Sequence, residues 1–473
     1  VVAIPFPLSS APGVKPQEAA GRLINAYAQA TGEGARAPVR WTRTPGLLEK
    51  FDVAGHSHLR GGIVSASTLV TVFDERVYTV TKSGTVYTSV NRGELAGTKP
   101  VTCAVNNNAT PQIACVDVDN GAFELSTSGA PINYSDADVG SPNSVSCLHG
   151  YFLFTYGSGT VKASNLNSVS IASNSFTTEQ GLSIRRGVVF DDRFFAFGDK
   201  WTGVYQDIGA SPFPLERTTS IPRGIIGTFA VAGWEPGWKN QLIWVGDDGL
   251  VYTLNGYVPA VISNPSVERS IASAADQSLI EASVYMSDGN PVFVLTSPDE
   301  WTWEYNAKTQ NWNERESYGQ DGWRGSQCIK AFNLWLAGDR STGKVSSIDA
   351  SHYREIGNPL VFEVESGVIA SFPARLAAPR AEFDITAAVG IASGEDPVQT
   401  DPSALIYWSR DGGYSYGNPV TRKIGKQGQS EKSVYVSRLG LIKAKGLRFK
   451  IQIADPIHVA LMGGQVASQA LSE

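Results

Sequence analysis

One pattern recurs through the middle of the chain and limits its fold more than any other feature. An alternating apolar strand meets a tight Gly or Asp turn, and a second strand follows, often carrying Val-Tyr. It reads "RVYTVTKSGTVYTSV" at Arg76–Val90, "QIACVDVDNGAFELS" at Gln112–Ser126 and "YFLFTYGSGTVKASN" at Tyr151–Asn165. It returns as "RFFAFGDKWTGVYQD" (Arg193–Asp207), "QLIWVGDDGLVYTLNG" (Gln241–Gly256), "PVFVLTSPDEWTWEY" (Pro291–Tyr305) and "LWLAGDRSTGKVSSID" (Leu334–Asp349). Strict alternation makes each stretch a hairpin, because successive side chains on a strand point to opposite faces. Glycine at the turn supplies the positive φ that tight hairpins require. The turn centres Gly84, Gly121, Gly159, Gly203, Gly249, Glu300 and Gly343 recur every 37 to 51 residues. That period, with several short strands per repeat, is the signature of a β-propeller. One hairpin cannot bury its own face, whereas a ring of blades can, and closing the ring removes exposed sheet edges. The spacing predicts six or seven blades over residues 56–355, with a β-sandwich or a pair of barrels as the alternative.

The two ends lack this rhythm. Residues 1–55 read as an N-terminal arm or segment. Within it, "PQEAAGRLINAYAQA" places Ala20, Leu23, Ile24, Tyr27 and Ala28 on a helical face, and an extended arm fits the segment almost as well. Over residues 356–473 the apolar runs lengthen, as in "RAEFDITAAVGI", "SALIYWSRDGGYSYG" and "KSVYVSRLGLIKAKGLRFKIQI". They predict a separate C-terminal antiparallel domain of sandwich type. The fold class is therefore all-β.

Composition agrees and narrows the function. Eleven Trp, 17 Tyr and 19 Phe, with 48 Gly and 25 Pro, suit a strand-and-turn protein. A formal net charge of −6 argues against a broad basic surface for gripping DNA. Cys103, Cys115, Cys147 and Cys328 lack metal-ligand spacing and read as reduced thiols, mostly buried. The opening "VVAIPFPLSS" has no charged region before an apolar run, so no secretion signal is expected there, and no run of 18 apolar residues predicts a membrane span.

One short motif raises the question of catalysis. Trp408–Gly417 reads "WSRDGGYSYG", with Ser409, Asp411 and Gly413 in the Ser-x-Asp-x-Gly order of the Asp box found on sialidase-type propellers. The box Asp is a structural group: its carboxylate accepts backbone N–H bonds within the turn. Here the motif lies outside the repeats, and "SIPRG" at Ser220–Gly224 is a poor match to the arginine landmark of sialidases. The turn is therefore read as a hairpin element, with a sialidase-like or carbohydrate-binding propeller kept as the alternative function. The acid pairs Asp191–Asp192 and Asp247–Asp248 read as turn acids, because adjacent carboxylates point to different sides and glycoside hydrolysis needs two across a cleft. His56 and His58 could share a strand face, but two imidazoles make no zinc site. No phosphate loop, nucleophile elbow or dinucleotide fingerprint occurs. No catalytic residue, cofactor or metal is expected. A basic stripe near the end, Arg438, Lys443, Lys445, Arg448 and Lys450, reads either as a solvated outer face or as an interface for an acidic partner chain or nucleic acid.

Taken in order, these pieces resemble the packaged-DNA stabilisation proteins of short-tailed bacteriophages, also called tail hub or nozzle proteins. The resemblance is carried by "INAYAQ" (Ile24–Gln29), "RTPGLLEKFD" (Arg43–Asp52), "SIRRGVVFDDRFFAFGDKWTGVYQDIGA" (Ser183–Ala210) and the run from Pro222 to Ile271. Its most specific part is "YWSRDGGYSYG" followed by "SRLGLIKAKGLRFKIQIADPI" (Ser437–Ile457), where Arg438, Gly440, Lys443, Phe449 and Pro456 match. The chain departs from the pattern over residues 95–150 and after Met462. The resemblance implies a structural virion protein, assembled in the bacterial host cytoplasm as a homohexamer at the distal end of the tail. It implies contact with a tail adaptor ring and with a tail needle, fibres or tailspikes. It implies a channel that retains packaged DNA and passes it during ejection without sequence-specific binding. A mildly acidic lumen would let DNA slide, because phosphates find no counter-charge on it.

Overall fold

The computed structural model describes residues 1–179, 182–370, 375–442 and 444–471. Seven antiparallel sheets follow one another around a central channel. The first six blades run from Leu59–Ser65 to Val86–Glu94, Val101–Val105 to Ile132–Asn133, Ser144–Leu148 to Phe176–Thr178, Ile184–Phe190 to Leu215–Ile221, Val231–Ala232 to Val258–Val261, and Glu281–Ser287 to Asn311–Glu314. The seventh takes three strands, Gly325–Ala331, Leu334–Asp339 and Lys344–Asp349, from the end of the repeat region. Its fourth, Gly46–Asp52, comes from before the first blade and pairs antiparallel with Lys344–Asp349. The ring is thus clasped by two segments about three hundred residues apart in the chain. Gly46 sits where a Cβ would fall 2.3 Å from the His352 carbonyl oxygen, so the clasp begins at a site only glycine fits.

The repeats become blades for the reason the alternation gives. The second strand of a blade has sheet neighbours on both sides and blades on both faces, and so reads as a continuous apolar run. Ile113–Asp117 and Asn290–Ser297 are buried at every position. In blades two to seven the hairpins read from sequence join the second and third strands. In blade one, Arg76–Val90 joins the third and fourth. Gly84, Gly121, Gly159 and Gly249 do sit at positive φ in their turns, whereas Gly203 lies inside a strand. The one α-helix among the described residues, Pro265–Ser273, bridges blades five and six. Asn264 caps it, accepting the Ser266 and Val267 N–H groups at 3.0 Å each, and Val267 and Ile271 enter the core.

The C-terminal part of the fold is a two-sheet sandwich, and the N-terminal segment is woven into it. One sheet runs Arg22–Ile24, Phe362–Glu365, Arg448–Ile453, Ser403–Ser409, Val420–Lys423. The other runs Ala26–Ala30, Val39–Arg43, Ala460–Leu471, Arg375–Ile385, Val434–Ile442, with Val2–Ala3 also paired to Ala460–Leu471. Phe383 and Phe449 meet between the sheets with ring centroids 5.2 Å apart. The segment expected as an arm over 1–55 is therefore divided between the sandwich and the propeller clasp. The helix expected from Ala20 to Ala28 is replaced by strands. Ala26, Ala28 and Ala30 also alternate with Tyr27 and Gln29, and pairing with Val39–Arg43 selects that period of two. Asn25, at φ +50, turns the chain from one sheet into the other, and its side-chain amide donates to the Glu316 and Val361 carbonyls. Arg22–Ile24 also pairs with the last strand of blade six, so one nine-stranded sheet runs from propeller into sandwich.

Candidate functional site

Three places concentrate charged side chains: the clasp, the Asp-box turn and the central channel. At the clasp, Arg315 follows the last strand of blade six and is fully buried. It donates to Glu355 Oε1 at 2.6 Å and to the Pro45 carbonyl at 2.7 Å, beside Glu304 Oε1 at 3.7 Å, and lies over the Trp323 ring. Trp323 Nε1 and Ser317 Oγ donate to the same Glu355 carboxylate at 3.0 and 2.5 Å. Tyr285 Oη and Asn313 Nδ2 donate to Glu304 at 2.8 and 2.9 Å. The two carboxylates raise the Arg315 pKa despite the burial that opposes it. One cation therefore ties blade six to the residues that flank the closing strand. A second buried pair, Arg60–Asp117, joins blades one and two, and Arg324–Asp339 (2.8 Å) lies within blade seven. None of these was singled out from the sequence, because a charge inside an alternating strand looks like a solvent-facing position. The signal available was "TWEY", where Glu304 sits between two aromatics in a strand buried almost throughout.

The Asp-box turn is closed by its own side chains. Asp411 accepts from Ser409 Oγ at 2.7 Å, Ser415 Oγ at 2.6 Å and Ser415 N–H at 3.0 Å, while Gly413 N–H donates to Ser409 Oγ at 2.7 Å. The Ser409 and Ser415 hydrogen bonds hold the Asp411 carboxyl at about 2. Gly412 and Gly413 have φ of +80 and +102, and a Cβ on Gly413 would meet the Arg448 side chain at 2.9 Å. These hydrogen bonds to Asp411 all come from its own turn, so the motif shapes a hairpin of the sandwich.

The basic stripe is not brought onto one face. Arg448 is buried rather than outward: it donates to the Ser366 carbonyl at 2.9 Å and the Pro16 carbonyl at 2.8 Å, and pairs with Glu365 at 3.3 Å. The N-terminal segment, packed over it, converts an apparent surface strand position into an internal tie. Lys450 is half-buried, its ammonium 4.9 Å from the Tyr407 ring centroid, and Lys445 lies as close to Tyr414. Arg438 is exposed at a left-handed position on the other sheet of the sandwich. Lys443 lies outside the described residues. His56 and His58 lie in the loop before blade one rather than on a strand. His56 contacts Asp74 Oδ2 through Nδ1 (3.0 Å) and Tyr78 Oη through Nε2 (2.9 Å). Asp191 and Asp192 form a left-handed hairpin turn. Asp247 accepts the Gly224 N–H at 2.9 Å and pairs with Lys200, while Asp248 accepts from Tyr252 Oη at 2.7 Å and pairs with Arg223. These acids tie blade four to blade five.

The channel holds a cavity of about 590 Å³ lined by the first strands of blades one to four and seven, and by Trp234, Glu235 and Pro236. Glu235 is the one carboxylate among the described residues that line it. Burial pushes its carboxyl up to about 7, opposed by the Gly233 N–H, which donates at 2.7 Å. The Arg186 guanidinium lies over the rings of Phe229 and Trp234, 5.5 and 5.7 Å from their centroids, and burial lowers its pKa to about 10. A single carboxylate is not the pair that glycoside hydrolysis requires. Among the described residues no group of three or more His, Cys, Asp or Glu is placed to hold a metal, and no helix is long and apolar enough to cross a membrane.

A seven-bladed propeller sharing a sheet with a β-sandwich, with buried ion pairs at Arg315–Glu355 and Arg60–Asp117 tying its parts together, is an all-β fold of two joined domains. A family model described as bacteriophage P22 Gp10, beta-propeller, matches residues 24–353, and a second, bacteriophage P22 Gp10, beta-sandwich, matches residues 376–469. The chain belongs to this family of phage tail and DNA-stabilisation proteins, and is a phage structural protein. No curated protein sequence matches it. Among solved structures, it is similar to the WD40 beta propeller domain of Doa1 (11% identity, 64% of this chain and 96% of that one, TM-score 0.42). BBS1N in complex with ARL6DN gives 11% identity, 64% and 98% coverage and a TM-score of 0.42. PorZ of Porphyromonas gingivalis gives 12% identity, 72% and 44% coverage and a TM-score of 0.37.

Proposed function

We propose that this chain is the tail hub, or nozzle, of a short-tailed phage. Six copies form a ring at the distal end of the tail, prolong the channel below an adaptor ring, retain packaged DNA and pass it during ejection. The ring offers its outer end to a needle, fibres or tailspikes, and it is assembled in the host cytoplasm. The observation that carries this reading is the match of both domains, in order, to one family of phage structural proteins. The continuous sheet between propeller and sandwich supports it, because a ring that withstands internal pressure needs subunits that do not hinge. The cavity inside one propeller is far too small for a DNA duplex, so the DNA path belongs on the ring axis between copies. A net charge of −6 suits a wall to which phosphates do not adhere.

The test is negative-stain imaging with mass measurement of the purified chain, alone and mixed with tail-adaptor rings. Sixfold rings, free or capping an adaptor, are the expected result. A monomer that ignores adaptor rings overturns the proposal and turns attention to glycan screening.

A further inference from the structure

The geometry points to a latent disulfide between Cys103 and Cys115, on the first two strands of blade two. The two residues are direct antiparallel partners in the register, and their Sγ atoms are 3.0 Å apart. Opposed residues of an antiparallel pair have Cα atoms about 4.5 or 5.5 Å apart, and both values fall in the range a disulfide spans. The Cα spacing therefore permits the bond, with the two Cβ atoms drawing slightly closer than in an unlinked pair. All four cysteines are free thiols in the structure. The other two have no such partner: Cys147 opposes Phe152 and Cys328 opposes Ala337.

Access is asymmetric. Cys103 is half-buried and lines the channel cavity, whereas Cys115 is fully buried behind it. A low-molecular-weight disulfide such as oxidised glutathione can enter from the channel and reach Cys103. The Cys103 thiolate attacks one glutathione sulfur, forming a mixed disulfide and expelling one glutathione thiolate. The Cys115 thiolate then attacks Cys103 Sγ and expels the second. Two protein thiols are oxidised, one glutathione disulfide is reduced to two thiols, and the two thiol protons pass to the leaving groups. Burial and the neighbouring Cys103 raise the Cys115 pKa, which makes the second step slow at neutral pH and faster as pH rises.

The staple would act at a joint. Asp117, two residues beyond Cys115, holds Arg60 of blade one in a buried ion pair. Fixing Cys115 to the channel-side strand anchors that carboxylate, so blade two and its junction with blade one stiffen in an oxidising medium. The inference rests on this strand pair and not on the tail-hub reading.

The experiment incubates the folded full chain with oxidised glutathione, blocks the remaining thiols by alkylation and maps the digest. Trypsin leaves Cys103, Cys115 and Cys147 on one peptide, so a second cut before Asp117 isolates the first two. The expected result is a fall in free thiols from four to two, with the Cys103–Cys115 fragment lighter by two hydrogens. A C115S variant is expected to hold glutathione on Cys103, and a C147S variant to form the bond as the parent does. Four thiols persisting in the parent, stable glutathione on its Cys103, or a link through Cys147 or Cys328 overturns the proposal. The parent alone decides it, so a variant that fails to fold does not matter.

Discussion

Replacing Arg315 by Met tests the claim that one buried cation holds the propeller shut. The thioether fills much of the volume of the arginine stem but leaves Glu355 and Glu304, both almost fully buried, facing each other without a counter-charge. Removing one member of a buried ion pair costs about 3–5 kcal/mol, because the partner charge stays desolvated. The cost falls on the clasp, since Arg315 also holds the Pro45 carbonyl at the start of the closing strand. Hydrogen exchange read by mass spectrometry on the amides of Gly46–Asp52 measures it locally. At about 1.4 kcal/mol per tenfold, the loss corresponds to exchange roughly 10²–10⁴ times faster, while the sandwich strands Arg448–Ile453 stay protected. Adding Glu355→Gln removes one orphaned charge and recovers about 1–3 kcal/mol, so the double variant exchanges more slowly than Arg315→Met alone. Unchanged exchange in Gly46–Asp52, or a double variant worse than the single one, refutes the reasoning.

Two further outcomes concern titration. Asp411 has its folded pKa depressed to about 2, from a usual value of 3.8. Its contribution is complete above about 4 and is lost as pH falls from there toward 2. Asp411→Ala is expected to lower the stability of the sandwich by about 1–2 kcal/mol at neutral pH, and by clearly less at pH 2, where its carboxyl is half protonated in the fold, in urea unfolding read by Trp fluorescence. Glu235 is the opposite case, raised to about 7 from 4.5. The folded state binds its proton more tightly, so propeller stability falls as pH rises between about 4.5 and 7, and Glu235→Gln is expected to remove that slope in calorimetric scans over the same range.

The blades were legible because burial on both faces leaves a plain mark: "PVFVLTS" and "QIACVDV" are apolar runs punctuated by turns. The closing strand was not, since "GLLEKFD" breaks the period of two at Leu47–Leu48 and Glu49–Lys50 and its partner lies about three hundred residues away. The Ala20–Ala28 stretch carried two periods at once, and only pairing with Val39–Arg43 chose between them. For the same reason Arg448 looked like a surface residue: its strand's other face is covered by a distant segment at Pro16. The Asp-box turn was more readable, because its side-chain bonds lie between Ser409 and Ser415, although Gly412 N–H also donates to the distant Gly446 carbonyl.

The strand Ala460–Leu471 has Arg375–Ile385 on one edge and both Val39–Arg43 and Val2–Ala3 on the other. It is the middle plank of its sheet, and in that sheet the opening strands meet the C-terminal strands only through it. Without it, Arg22–Ile24 keeps its place beside Phe362–Glu365, but Val39–Arg43 and Arg375–Ile385 lose the strand that joins them and both are left as open edges.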